Sequence, residues 1–288
     1  MATLSAPFRC LLLAALATAA SPAGPAGATE TVVRGLLATD TVWSGAITVV
    51  GQVVVKKGAT LTIQPGTTVR FAWADEDGNA IGDGELAVEG RLIARGTREQ
   101  RITFTSAREQ PAPKDWTFVI ISTSRESAIE YAVFEYAFTG LQMHLSSATV
   151  RNCRFHDNFE ALRYSTSEIV VERNEITENT YGIRYESRGS SGSITRNIIA
   201  GNENGFFPVV KSASGVRIFE NNIVNRGYNV KMGAEQREDL DFRGNWWGTT
   251  LPEAIAEGFF DKRREESIGR VLFEPFLEKA VEPCGIEQ

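Results

Sequence analysis

Asn174-Glu175-Ile176-Thr177-Glu178-Asn179-Thr180-Tyr181-Gly182-Ile183 is the cleanest copy of a pattern that returns between Ile129 and Gly248. Its anchor, Asn174, aligns with Ala132, Cys153, Asn197, Asn221 and Asn245 at successive spacings of 21, 21, 23, 24 and 24 residues. Three places before the anchors stand Ile129, Val150, Val171, Ile194, Ile218 and Phe242, and two places after them Phe134, Phe155, Ile176, Ile199, Ile223 and Trp247. Eight places after the first five anchors comes a small or turn-forming residue (Gly140, Ala161, Gly182, Gly205, Asn229), followed by Leu141, Leu162, Ile183, Phe206 or Val230. One such unit cannot bury its apolar side chains alone, but stacked copies can. A period of about 22 residues with three short apolar runs therefore describes a chain winding round a cylinder.

The pattern extends upstream in a looser form. Ile47/Val49, Val53/Val55, Leu61/Ile63, Val69/Phe71, Leu86/Val88, Leu92/Ala94 and Ile102/Phe104 are apolar pairs two apart, separated by Gly51, Gly58, Pro65-Gly66, Gly90 and Gly96. Alternation broken every few residues by turn formers predicts short strands. Phe118/Ile120 continues the series. Two polar excursions interrupt it, Trp73 to Gly84 and Ala107 to Asp115, and insertions in a solenoid collect on one face. The inward strand residues Val53, Leu86, Phe118, Leu141, Leu162, Ile183, Phe206 and Val230 predict about eight coils and a rod of roughly 40 Å.

Such a rod has an open sheet edge at each end, which invites pairing between chains unless it is covered. The predicted organisation is a leader over 1–28, an N-terminal cap over 29–41 built on Val32, Val33, Leu36 and Leu37, a solenoid over 42–250 and a C-terminal cap over 251–288. In that last segment Pro252 to Arg264 has a helical pattern, with Ile255, Phe259 and Phe260 on one side, and Val271 to Leu277 suits an extended segment laid over the end.

Composition narrows the setting. Residues 1–28 run from a basic start at Arg9 through an apolar stretch to Ala26-Gly27-Ala28, the order of a secretory signal, with an apolar run too short to span a bilayer. The expected product is periplasmic or extracellular. A net charge of −6 with scattered Lys and Arg argues against a nucleic-acid partner. Cys153 and Cys284 could bridge only if the tail folds back over several coils. Nothing suggests more than a monomer or weak oligomer.

The N-x-[IF]-x-x-N-x-x-G-[IL] unit quoted above resembles the right-handed parallel β-helix repeat of the pectate-lyase-like and NosD-like families. Leu61-Thr62-Ile63-Gln64-Pro65-Gly66-Thr67, Ile102-Thr103-Phe104-Thr105-Ser106 and Gly244-Asn245-Trp246-Trp247-Gly248 look like secreted bacterial members. The resemblance implies an all-β, single-stranded right-handed parallel β-helix. It leaves the chemistry open, since this coil carries lyases, hydrolases, binding proteins and scaffolds.

Stacking turns sequence positions into spatial columns. Asn174, Asn197, Asn221 and Asn245 should form one ladder, at a turn where Asn tolerates left-handed φ, and Asn158, Asn179 and Asn202 a second. On the strand that follows, Gln142, Arg163, Arg184, Phe207 and Lys231 should face outward, with His144, Ser165 and Glu186 two places on. Arg163 and Arg184 then sit one coil apart, so an anion or a carboxylate such as Glu186 must lie between them. This stripe is the leading candidate for binding a polysaccharide or a cell-envelope component. The resemblance adds that sugar chains often lie along this face.

Asp157 and Glu178, in the turn just before the strand, could join Arg163 and Arg184 as the catalytic group of a polysaccharide lyase or glycosidase on an acidic polymer. The Gly-His-Gly, Asp-Asp and Arg-Ile-Lys signatures and a dense aspartate cluster are all missing, so a non-catalytic binding scaffold is the preferred expectation. A purely structural surface protein is the third. Asp75, Asp77, Asn79 and Asp83 space oxygen ligands as a Ca²⁺ loop does, but without the closing Glu, so a solvated acidic loop fits as well. No other cofactor is expected. His144 and His156, with Met143 pointing inward, do not carry over the copper role associated with NosD-like proteins.

Overall fold

The computed structural model describes residues 30–186, 189–213 and 215–287; the expected leader lies outside them. The chain forms a right-handed parallel β-helix with three walls. The first wall is an eight-stranded parallel sheet: Thr41–Trp43, Thr60–Ile63, Arg91–Arg95, Ser127–Glu130, Ser147–Arg151, Glu168–Glu172, Ser191–Thr195 and Gly215–Phe219. The second stacks Thr68–Phe71, Ile102–Ser106, Ala132–Glu135, Arg154–His156, Glu175–Thr177, Ile198–Ala200 and Asn222–Val224. The third stacks Glu85–Val88, Trp116–Ser122, Ala137–His144, Glu160–Ser165, Tyr181–Tyr185, Asn204–Pro208 and Tyr228–Lys231. Ala46–Val55 supplies a rung to both of these walls.

Each strand is too short to stand alone and gains its backbone partners from the coils above and below. The inner columns supply the apolar burial. Phe104, Phe134 and Phe155 stack with ring centroids 4.6 and 4.8 Å apart, and Phe71 lies 4.2 Å from Trp116. The spacings of the phenylalanine column match the inter-strand spacing, so ring stacking and sheet pairing reinforce one another there.

The corners are held by side-chain ladders. The Asn174 side-chain amide donates to Asn197 Oδ1, Asn197 to Asn221 and Asn221 to Asn245, each at 2.9 Å, and all four residues are fully buried. Each Oδ1 also accepts the backbone N–H of the Asn below, as Asn197 does from Asn174 at 2.9 Å. The second ladder, Asn158, Asn179 and Asn202, continues to Asn225. A third corner is lined by serines: Ser146 N–H donates to Ser167 Oγ, and Ser167 N–H to Ser190 Oγ. The expectation that the ladder asparagines themselves take left-handed φ is corrected. Their predecessors do so, with φ of 56° at Arg173, 56° at Arg196 and 54° at Glu220, which leaves the Asn amide free to point along the rod axis.

Other expectations also shift. Phe118 is not in the inner column; Val119 is, opposite Leu86 and Leu141. Trp116 fills the core at the start of that strand, and the register slips by one residue at Gly140, so parity is reset. The helix is Pro252–Glu257 alone. Beyond Gly258 the chain turns extended, and Phe259–Phe260 pair with Val230 and Lys231 as one more rung of the third wall. Val271–Leu272 pair with Leu240–Asp241, and Phe259, Phe273 and Phe276 close the end.

At the N-terminal end Thr31–Leu37 is itself a rung on Ala46–Val55, with Val32 and Leu36 exposed and Val33 and Leu37 partly buried. The tail does fold back. Val281 N–H donates to Asn222 Oδ1, Gly285 N–H to Arg196 O and Glu287 N–H to Asn152 Oδ1, while Glu287 pairs with Arg173. It runs outside the second wall, whereas Cys153 is inside the core, and Cys153 and Cys284 are both free.

Candidate functional site

The outward column of the third wall is as expected: Gln142 faces Arg163, Arg163 faces Arg184 and Arg184 faces Phe207. Lys231 follows Val230, the partner of Phe206. Each arginine meets a carboxylate of the protein. Arg163 Nη2 donates to Glu186 Oε1 at 2.9 Å, and Arg184 Nη1 to Glu160 Oε1 at 2.5 Å. Glu160 is on the outer side yet fully buried, because Thr139 Oγ1 donates to its other oxygen at 2.8 Å and Arg184 lies over it. Two guanidinium groups one rung apart are thus neutralised within the fold.

Beside this column runs a ridge of aromatic rings. Phe138 stacks on Phe159 at 5.1 Å, Tyr181 meets Phe159 edge-on at 5.6 Å, and Tyr181 stacks on Phe207 at 5.0 Å. All four rings are partly exposed. Tyr228 and Phe260, 5.7 Å apart, extend the line to the C-terminal cap, where Arg264 lies over Tyr228. Lys114 Nζ stands 4.3 Å from the Phe159 ring.

Lys114 arrives on the second excursion. Buried Asp115 pins that loop, accepting from Ser106, Arg108 and Ala112. The two excursions meet: Gly82 N–H donates to Lys114 O at 2.8 Å, and Arg108 sits over the Trp73 ring. They form a shoulder beside the lower end of the ridge. From Phe138 to Phe260 the rings occupy six successive rungs, about 24 Å.

The family model described as "Right handed beta helix region" matches residues 101–246, and that described as "Pectate-lyase like beta helix domain" matches residues 35–154. The chain belongs to the right-handed β-helix family. No curated relative and no solved structure matches it.

In this β-helix the four residues expected to act together are divided between partners. Asp157 bonds His156 at 2.8 Å, and His156 also reaches Glu135 at 3.3 Å. Glu178 pairs with Arg226 at 3.0 Å. Both carboxylates are in the left-handed corner before the third wall, with φ of 55° and 56°. Arg163 and Arg184 are held by Glu186 and Glu160 instead. His144 Nδ1 lies 2.6 Å from Ser165 Oγ, and Met143 is inside the core.

The acidic excursion binds its own backbone. Asp75 accepts from Asn79 and Ala80 N–H, Asp77 from Asn79, and Asp83 from Glu76, all between 2.8 and 3.1 Å. Among the described residues no group of three or more His, Cys, Asp and Glu side chains is placed to hold a metal. None of their helices is long and apolar enough to cross a membrane.

Of the ridge, only Phe207 was expected on this face. The signal of the rest was present in three coils, as an aromatic one or two places before Gly140, Ala161 and Gly182 (Phe138, Phe159, Tyr181). It was hidden because those positions read as turn.

Proposed function

We propose that this β-helix is an exported, non-catalytic scaffold that holds a polysaccharide, or a glycan-bearing component of the cell envelope, along the outside of its third wall. The observation that carries this reading is the aromatic ridge of Phe138, Phe159, Tyr181 and Phe207. Apolar ring faces in a line, flanked by Gln142, His144, Lys231 and the paired Arg163 and Arg184, suit the alternating apolar and hydroxylated faces of a sugar chain. Because the arginines already have carboxylate partners, the face favours a neutral or weakly charged glycan over a densely anionic one. The tail lies on the second wall and leaves this face open.

A glycan array probed with the mature chain tests the reading. Retention of a defined set of oligosaccharides, reduced by Tyr181→Ala and by Phe207→Ala, supports it. Appearance of unsaturated uronates or new reducing ends would instead favour a lyase or hydrolase acting through Asp157, Glu178, Arg163 and Arg184. Absence of all binding and turnover would leave the purely structural role.

A further inference from the structure

The first wall ends at Gly215–Phe219, and the next extended piece, Leu240–Asp241, pairs with Val271–Leu272 instead of stacking on it. The two remain tied at the corner, where Glu220 N–H donates to Gly244 O at 2.7 Å and the Asn245 side-chain amide to Ile218 O at 2.9 Å. A cavity of about 240 Å³ enters the core through the gap between them. Tyr164 and Tyr185 form its floor, Val216, Ile218 and Leu240 line its walls, and Asp239 and Asp241 stand at its mouth.

The space has a cause in the columns. Above Tyr185 the tyrosine stack stops, because Pro208 takes the next rung.

Tyr164 is fully buried, and its hydroxyl has no hydrogen-bond partner among the described residues. A buried hydroxyl without a partner is costly and marks a place where one belongs. The neighbouring Ser212 hydroxyl does not serve, since it donates to the Tyr185 and Val210 carbonyls. At the mouth Asp239 accepts from Arg270 N–H at 2.7 Å, and Asp241 from the Arg243 side chain at 2.9 and 2.6 Å. Arg243 offsets the charge of Asp241, so a cation is not demanded, while both carboxylates keep lone pairs for further donors.

We propose that this cavity binds one polyhydroxylated ring, a terminal hexose or cyclic polyol. Its hydroxyls donate to Asp239 and Asp241, its apolar face lies on Val216 and Ile218, and an inner oxygen accepts from the Tyr164 hydroxyl. The volume is below the roughly 300–1,000 Å³ of sites for drug-sized ligands, which limits the occupant to one ring. The site opens through the first wall and is independent of the ridge on the third.

Saturation-transfer NMR on the mature chain with glucose, galactose and myo-inositol at tens of millimolar tests this. The expected result is transfer to at least one probe, weakened about fivefold or more by Tyr164→Phe, abolished by Val216→Trp and unchanged by Tyr181→Ala. That last variant separates this site from the ridge. No transfer to any probe, or transfer indifferent to Tyr164→Phe, overturns the proposal. So does a crystal structure of the probe-soaked protein with ordered water alone on the Tyr164 hydroxyl. Tyr164→Phe keeps the ring volume, so the test stands even if Val216→Trp fails to fold.

Discussion

Individual residues carry two jobs, closing coils and neutralising neighbours. Asn197 is central to the first: its side chain serves Asn174 and Asn221 and donates to the Val171 and Thr195 carbonyls at 3.0 and 2.9 Å. Asn197→Ala leaves several buried groups unpaired, so a loss upward of about 3 kcal/mol is expected in chemical denaturation. Cys153 occupies the foot of the same ladder, with Sγ near Ala132 N–H and the Ile129 and Arg151 carbonyls. An amide can satisfy all three, so Cys153→Asn should stabilise by about 1 kcal/mol.

Burial pushes the Cys153 thiol from 9.0 up to about 12. Between those values the unfolded chain binds fewer protons than the folded one, so stability present below about pH 9 drains away as pH rises toward about 12. Cys153→Asn removes that share of the alkaline loss, visible as a flatter dependence of the unfolding midpoint on pH. Arg184 does the second job. Because Glu160 is buried beneath it, Arg184→Ala should cost about 3–5 kcal/mol of stability, and lost binding in that variant would not by itself implicate Arg184 in recognition.

At the scale of strands and corners, periodicity made most of the architecture legible. Ile47, Val49, Leu61, Leu86, Ile129, Leu162 and Ile183 are all inside, as their alternation requires. Parity failed where a bulge intervened, at Phe118, because a one-residue slip at Gly140 depends on the neighbouring coil and leaves no local mark. Phe259–Phe260 read as helix because Pro252 to Glu257 is one, and nothing local says that pairing with Tyr228–Lys231 outweighs continuing it. The ion pairs were half legible: Glu186 was an evident answer to the arginine column, whereas nothing local marks Glu160 as the partner that coil stacking places under Arg184.

The tail is a separable element. It touches the second wall through Asn222, Arg196 and Asn152. A chain ending at Glu278 should fold with an unchanged third wall and bind glycan as the full chain does, while half-buried Cys284 is lost and thiol labelling of the native state falls accordingly.

For the whole molecule the question is how the rod ends. At the C-terminal end Phe242, Trp247, Phe259 and Phe273 form a closed aromatic plug. Ending the chain at Gly248 removes Phe259–Phe260 from Lys231 and uncovers both the plug and a sheet edge. Aggregation, followed by light scattering during refolding, is the expected outcome. The N-terminal rung is different: Thr31–Leu37 shows Val32 and Leu36 to solvent, and Val32→Lys with Leu36→Lys should raise solubility without altering the unfolding midpoint.

The central claim is that the ridge on the third wall is a glycan platform. It is tested most directly by calorimetric titration of an array-selected oligosaccharide into the full chain, Tyr181→Ala, Phe207→Ala and the chain ending at Glu278. The account predicts about a tenfold loss of affinity for each aromatic variant, roughly the 1.4 kcal/mol of one stacked ring, with unfolding midpoints and the truncated chain's affinity unchanged. Full affinity in both aromatic variants would contradict it.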